Sequence, residues 1–253
     1  VKLSLRELVV DFKTPDEGRL PALGPISLEV SPGEFLCIVG PSGCGKSTLI
    51  RTLAGLQPAT SGSVAGDDLP ITGPLSALAI MFQDANLMPW RTVLDNIGLP
   101  LELAGVDKAR RHKAVYELLP QLQLQDFALS YPAELSGGMA QRVALGRVIV
   151  QRPRALLLDE PFGALDAMTR EKISLELLDL WRMHRQTVVM VTHDINEAVL
   201  MADRVVVMSR RPGKLVADIA IGLERPREIN MIYRETFLRL ARETRAAIDR
   251  PDG

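Results

Sequence analysis

Four short apolar runs stand out along the chain: Phe35–Val39 (FLCIV), residues 155–158 (ALLL), Thr187–Val191 (TVVMV) and Arg204–Met208 (RVVVM). Their length and near-continuous hydrophobicity are those of strands buried on both faces, and such strands need helices above and below their sheet. Helical periods lie between them. Residues 46–54 run to a closing Gly55, residues 168–184 bring Ile173, Leu177, Leu180 and Trp181 to one face, and Asp194 can N-cap INEAVLMA. Strand alternating with helix predicts a mostly parallel α/β sheet.

Other stretches break this alternation. Between about residues 83 and 152 the sequence turns helix-rich, with DKARRHKAVYELLPQLQL and GGMAQRVALGRVIV, and offers no convincing parallel strand. A helical insertion is expected there. Near the start, LRELVV and ISLEV alternate like exposed antiparallel strands, separated by the turn-rich KTPDEGRLPALGP. After Met208, RRPGKLVADIAI reads as a turn and a strand. Residues 226–249 then put Ile229, Ile232, Phe237, Leu240 and Ile248 on one helical face, with arginines on a solvated face.

The composition narrows the class. At 253 residues, 47% hydrophobic and 24% charged, the chain can bury a sizeable core, as one large domain or one carrying an insertion. Lys+Arg 30 against Asp+Glu 31 leaves a net charge of −1, and aromatics are 4%. There is neither a bulk field nor a stacking platform for nucleic acid. Cys37 and Cys44 fit neither a disulfide framework nor a metal-ligand spacing. VKLSLRELVVDF lacks the apolar core of a signal peptide, and no apolar run approaches the roughly 18 residues of a span. The expectation is a chain neither exported nor membrane-spanning.

The chemistry begins at Gly40-Pro41-Ser42-Gly43-Cys44-Gly45-Lys46-Ser47, which fits the phosphate-loop pattern directly after the FLCIV strand and before a helix. Successive backbone N–H groups can wrap a β-phosphate, glycines permit left-handed turns and close approach, and the helix N-terminus adds roughly half a positive charge. In that chemistry Lys46 bridges the β- and γ-phosphates, the Ser47 hydroxyl ligates Mg²⁺, and Thr48 adds a phosphate contact. A glycine-rich turn that merely caps a helix is the alternative; the strand–loop–helix setting favours nucleotide. Cys44 is expected as a small filler, or as a thiol made alkylation-sensitive by Lys46.

Asp159 and Glu160 close the ALLL run. An acid at the carboxyl edge of a parallel sheet sits where α/β ligands bind, so Asp159 is placed to hold the Mg²⁺ shell, and Glu160 to polarise an attacking water.

Leu135-Ser136-Gly137-Gly138-Met139-Ala140-Gln141-Arg142 resembles the signature sequence of ATP-binding cassette (ABC) ATPases, upstream of LLLDE as in that family. Gln83 resembles the Q-loop glutamine, Ala164-Leu165-Asp166 the D-loop, and His193 the switch histidine. The resemblance covers essentially the whole chain. It implies an α/β fold: a P-loop NTPase with a RecA-like core and an antiparallel β subdomain (residues 1–86 and 153–253), plus an inserted α-helical subdomain at 87–152. It further implies ATP and Mg²⁺ as ligands, Glu160 as general base, His193 on the γ-phosphate, Gln83 reaching Mg²⁺, and two copies pairing head to tail. Each nucleotide then meets one chain's phosphate loop and the other's Ser136, Gly137 and Gly138 at a helix N-terminus. Phe12 resembles the aromatic that stacks on adenine, with an ordinary core strand position as the alternative. Met139 stands where many members have Gln, and Gly163 where Ser is frequent; the Ser-Gly-Gly backbone is intact.

Several stretches are similar to the nitrate/sulfonate/taurine importer branch: residues 81–97, LSGGMAQR, PFGALDAMTR and SRRPGKLV. That likeness implies an importer's peripheral subunit on the cytoplasmic face of the inner membrane, with integral permease subunits as partners and, indirectly, a solute-binding protein; a separate-subunit exporter ATPase, or a soluble ABC-type ATPase not coupled to transport, is the alternative. Solutes of the branch are small anions or pyrimidine-like vitamin precursors. No coiled-coil insertion, second cassette or Asn-Lys-x-Asp motif points instead to a repair ATPase, a translation factor or a GTPase. Leu87, Met88, Pro89 and Trp90 are expected to line a groove for a short permease helix, with an internal loop anchor as the alternative.

Overall fold

The computed structural model describes residues 1–15, 18–163 and 165–250. In chain order the elements are β1 (Leu3–Lys13), β2 (Arg19–Val30), β3 (Phe35–Val39), α1 (Lys46–Leu53), β4 (Ser61–Gly66), β5 (Leu69–Pro70), β6 (Leu78–Met81), α2 (Val93–Leu103), α3 (Lys108–Leu118), α4 (Gly137–Ile149), β7 (Ala155–Asp159), α5 (Ala167–His184), β8 (Thr187–Val191), α6 (Ile195–Met201), β9 (Arg204–Met208), β10 (Leu215–Ala220) and α7 (Glu235–Ile248). They build two sheets. The larger has the order β10-β9-β3-β8-β7-β6, parallel except for its β10 edge; the smaller, antiparallel one runs β2-β1-β4-β5. The α/β expectation is met.

The four apolar runs form the middle of the larger sheet, and their period of two divides the core. Phe35, Cys37, Val39, Leu156, Leu158, Val188, Met190, Val205 and Val207 face one cluster, which also takes in apolar residues of α2 and α4–α7. Leu36, Ile38, Ala155, Leu157, Val189, Val191, Val206 and Met208 face the other, filled from α1, β1 and β2. Hence all five residues of β3, β7 and β8 are buried.

Between β6 and β7 the described structure is helical, with α2 capped by Thr92 accepting from the Asp95 N–H at 3.2 Å and α3 by Asp107 accepting from Arg110 at 3.1 Å. No helix among the described residues is long and apolar enough to cross a membrane.

Three details differ from the sequence expectation. RLPALGP, read as part of a turn, lies inside β2: Lys13 pairs with Arg19 and Phe12 with Leu20, and bulges absorb the glycine and proline. Strands β4, β5 and β6 were not anticipated; short runs that are mostly exposed or only partly buried carry too little pattern. The single C-terminal face is broken as well. A 3₁₀ turn at Ile229–Tyr233 ends where Arg234 turns extended, so Ile229 and Ile232 precede α7 rather than share it with Phe237 and Leu240.

Candidate active site

The phosphate loop links β3 to α1 at the carboxyl edge of the larger sheet. Gly43 and Gly45 take φ of +75° and +105°, which side-chain-bearing residues rarely adopt. Leu49 is the first of α1 whose N–H closes back, on Gly45 at 2.9 Å, so the N–H groups of Lys46, Ser47 and Thr48 are the free donors of a helix start. Lys46 is buried, and its ammonium donates to the Gly40 and Pro41 carbonyls at 2.8 and 3.1 Å. A cation thus bridges the loop's own carbonyls beside the N–H donors of the helix start. This donor set fits a polyphosphate.

Two further segments build the loop's wall. Gly45 abuts Ala22 and Leu23 of β2, where an added Cβ would come within 2.5 Å of Leu23. Gly213 donates to the Ala22 carbonyl and accepts from Gly24, both at 3.0 Å, and any Cβ on it would run into the Cys44 carbonyl. The SRRPGKLV segment is therefore a brace for the phosphate loop, a role that sequence spacing did not disclose. Phe12, 37% exposed, lies on β1 opposite Leu20, two residues along β2 from that wall.

Asp159 ends β7 and is buried; the Ser47 hydroxyl donates to its Oδ1 at 2.8 Å. Burial pushes the Asp159 carboxyl up, with the Ser47 hydrogen bond and the charge of Arg51 opposing it. A hard divalent cation takes oxygen donors, and the hydroxyl and carboxylate converging here fit Mg²⁺.

Glu160 follows in a left-handed conformation, φ +46°, with its N–H on the Val191 carbonyl at 3.0 Å. This left-handed backbone is one that residues with side chains seldom adopt. The β7–β8 register sets Asp159 against Val191, so the residues just past each strand meet. His193 Nδ1 lies 2.9 Å from Glu160 Oε2. An imidazole holding a carboxylate at a sheet edge can orient a water and keep that carboxylate competent to take its proton.

Gln83 is exposed, two residues beyond β6. Its carbonyl accepts from Gln141 Nε2 at 2.9 Å, and its own amide and the Glu160 carboxylate both flank Gly163. The glutamine, the base candidate and the histidine thus come together.

The signature residues form the start of α4. Ser136 is its N-cap, accepting from the Met139 N–H at 3.3 Å; Ser136 and Gly137 are exposed, and Leu135, Gly138 and Met139 half-buried. Gly138 packs against Thr169 of α5, leaving no room for a side chain without displacing it. Asp166 caps α5 by accepting from Thr169 at 3.0 Å, and this hydrogen bonding holds its carboxyl below the usual range. Ala164, the first of the three D-loop residues, lies outside the described residues.

Two expectations change. Cys44 is buried, and desolvation raises its thiol pKa in spite of Lys46, whose ammonium stands 4.0 Å away. It is a filler, not a reactive thiol. The LMPW loop is only partly open: Trp90 is 71% exposed, while Leu87 and Met88 are half-buried. What holds this loop was missed. The fully buried Asn96 accepts from the Met88 N–H at 2.8 Å and donates to the Met88, Arg91 and Thr92 carbonyls at 3.0–3.1 Å.

Comparison with known proteins agrees with this geometry. Residues 23–163 match the family described as ABC transporter. An uncharacterized ABC transporter ATP-binding protein of Methanocaldococcus jannaschii is 43% identical over 96% of this chain and 92% of its own length. An aliphatic sulfonates import ATP-binding protein of Albidiferax ferrireducens is 46% identical (89% of this chain, 76% of the relative). A taurine import ATP-binding protein of Burkholderia pseudomallei is 44% identical (82% and 80%). Among solved structures, a dimeric ATP-binding cassette in a post-hydrolysis state with ADP and Pi superposes with TM-score 0.77 at 32% identity, covering 88% of this chain and all of the other.

Proposed function

The chain belongs to the ABC transporter family, and on that premise we propose that it is the ATP-hydrolysing subunit of an importer for a small sulfonate-like anion, working as a head-to-tail homodimer on a separate membrane permease. The observation that carries the hydrolytic reading is the pairing of His193 with Glu160 at 2.9 Å beside the Ser47–Asp159 pair at 2.8 Å, along one sheet edge. In this reading Gly40 to Thr48 wrap the phosphates and Lys46 exchanges its carbonyl partners for phosphate oxygens. Ser47, Asp159 and Gln83 would hold Mg²⁺, which would supply charge neutralisation on the phosphate oxygens. Glu160 accepts the proton of the attacking water, and the imidazole of His193 orients that carboxylate and meets the γ-phosphate.

Residues 87–152 are read as the signature-bearing helical subdomain, and residues 1–86 with 153–253 as the catalytic core. Ser136 and Gly137, both exposed, and the half-buried Gly138 present a helix start that nothing in their own chain's phosphate loop uses, which favours donation across a dimer. The dimeric state of the superposed cassette supports an isologous pair with two composite sites. Asp166 then lies at the seam, and Phe12 beside the loop wall is the candidate adenine contact.

Import of a sulfonate-like solute rests on the named relatives and on the exposed Trp90, carried by the loop that Asn96 ties at Met88 and Arg91, which suits docking of a short permease helix. Such docking would hold the subunit at the cytoplasmic face of the membrane. Glu160→Gln is expected to keep ATP affinity while cutting turnover at least about a hundredfold, the minimum expected of a general base. Lys46→Ala should lose ATP binding as well. Unimpaired turnover in Glu160→Gln would end the assignment of the base. Trp90→Ala should uncouple ATPase from transport; unchanged permease association would end the docking assignment.

A further inference from the structure

Glu160 and His193 stand on two separate segments, one leaving β7 and the other leaving β8. The backbone joins these segments where the Glu160 N–H donates to the Val191 carbonyl at 3.0 Å, and the side chains meet at 2.9 Å. One further side chain ties them together. Arg170, in the first turn of α5, donates from Nη1 to Asp194 Oδ2 at 3.1 Å and from Nη2 to the Leu165 carbonyl at 2.9 Å. Two arms of one guanidinium therefore reach from the residue after His193 to the residue before Asp166.

Both ends of this span are anchored. The Gly163 N–H donates to the Glu160 carbonyl and the Leu165 N–H to the Phe162 carbonyl, each at 3.1 Å, so successive turns lead from Glu160 to the carbonyl that Arg170 holds. The Arg170 N–H is itself fixed on the Asp166 carbonyl at 2.9 Å, beside the cap that Asp166 gives α5. On the other segment the Asp194 N–H donates to the Thr192 hydroxyl at 3.0 Å, and Asp194 Oδ1 takes the N–H groups of Asn196 and the buried Glu197 at 2.9 and 3.1 Å. Oδ1 is thus committed to the start of α6. Oδ2 is left to fix the turn from outside, and Arg170 holds it. The Arg170 side chain is 24% exposed, and its Nε is buried with no partner among the described residues. Leaving a buried donor unpaired costs free energy, so this is not an idle surface ion pair. A guanidinium also keeps its charge at any working pH, and its planar fork holds two acceptors with little freedom.

We propose that Arg170 is a positioning residue for His193: it locks the turn that carries the imidazole to the backbone of the D-loop segment, and so keeps the imidazole on the Glu160 carboxylate. This role rests on the hydrolytic reading of His193 and Glu160 given above.

The test is steady-state ATPase of the purified full chain with magnesium. Arg170→Ala should lower kcat about tenfold, because a small displacement of a catalytic group is enough for such a loss. KM for ATP should stay unchanged, since neither bond of the guanidinium reaches the phosphate loop. Asp194→Asn keeps an acceptor for the start of α6 but removes the carboxylate opposite Arg170, and should lower kcat to a similar degree. The double variant Arg170→Ala/Asp194→Asn should lose no more than the larger single loss. Additive losses overturn the proposal, as does an Arg170→Ala chain that is folded by circular dichroism and keeps the wild-type kcat. A loss in Arg170→Ala that Asp194→Asn does not share places the effect at Leu165 instead, and also overturns it. His193→Ala and Glu160→Gln separate the two levels. If they abolish turnover while Arg170→Ala and Asp194→Asn do not change it, only this inference fails; if they leave turnover intact, the underlying site reading fails.

Discussion

Replacing Glu197 by glutamine should stabilise the protein, and the gain should grow as the solution becomes more alkaline. The folded carboxyl titrates near 7 against 4.5 for an unperturbed one. An unfolded chain therefore releases this proton from about pH 4.5 upward, while the folded chain holds it until about 7. The stability tied to that proton is complete below pH 4.5 and is lost as pH rises through 7. At about 1.4 kcal/mol per unit, the gap is worth roughly 3 kcal/mol, of which about 2–3 kcal/mol falls between pH 5 and 8.5. Glutamine has the same shape and does not titrate. Urea unfolding of both proteins at pH 5 and pH 8.5, analysed with a shared m-value, isolates the effect, because every other ionising group cancels in the difference. A stability difference equal at the two pH values would refute the reasoning, and with it the claim that the carboxyl is held protonated by burial.

Other perturbations test the rest of the site. Gly213→Ala forces a methyl against the Cys44 carbonyl, which no rotamer change relieves; ATP affinity should fall at least about tenfold by equilibrium binding, whereas Gly222→Ala, with open space around it, should leave affinity unchanged. Asn96→Ala removes four partly buried hydrogen bonds; the expected cost is roughly 3 kcal/mol in urea unfolding, with faster hydrogen exchange at the amides of Met88 and Arg91. Cys44, buried beside the phosphate loop with a raised pKa, should react with a maleimide at pH 7.5 only after denaturant is added; rapid labelling of the folded chain would contradict its burial.

What could be read from the sequence follows from how each contact is encoded. The phosphate loop is one contiguous peptide whose function depends on its own backbone, so Gly40 to Ser47 could be recognised without knowing anything about the rest of the chain. The double-buried strands are similarly local, since β3, β7, β8 and β9 need apolar residues on both faces and the pattern is continuous. Edge elements such as β6, half in contact with solvent, have no such redundancy. The His193–Glu160 pair lies between these cases. Each residue is placed by a strand ending just before it, but their meeting requires β7 and β8 to be neighbours in the register Asp159 to Val191. Strand order is not written in any single segment. Asn96, Gly213 and Glu197 were harder still, because a polar or small residue inside an apolar helix or a turn carries the same letter whether it faces water or a buried carbonyl. Asn96 offered one usable signal: it stands beside Ile97 and three residues after Val93, both fully or nearly fully buried, so its amide had to satisfy backbone groups in the interior. The same physics explains why such residues cluster around the site. A loop that must present free N–H donors, or a histidine that must sit over a carboxylate, cannot be fixed by apolar packing alone. Directional bonds from a second layer hold it, and that layer is assembled from positions distant in sequence.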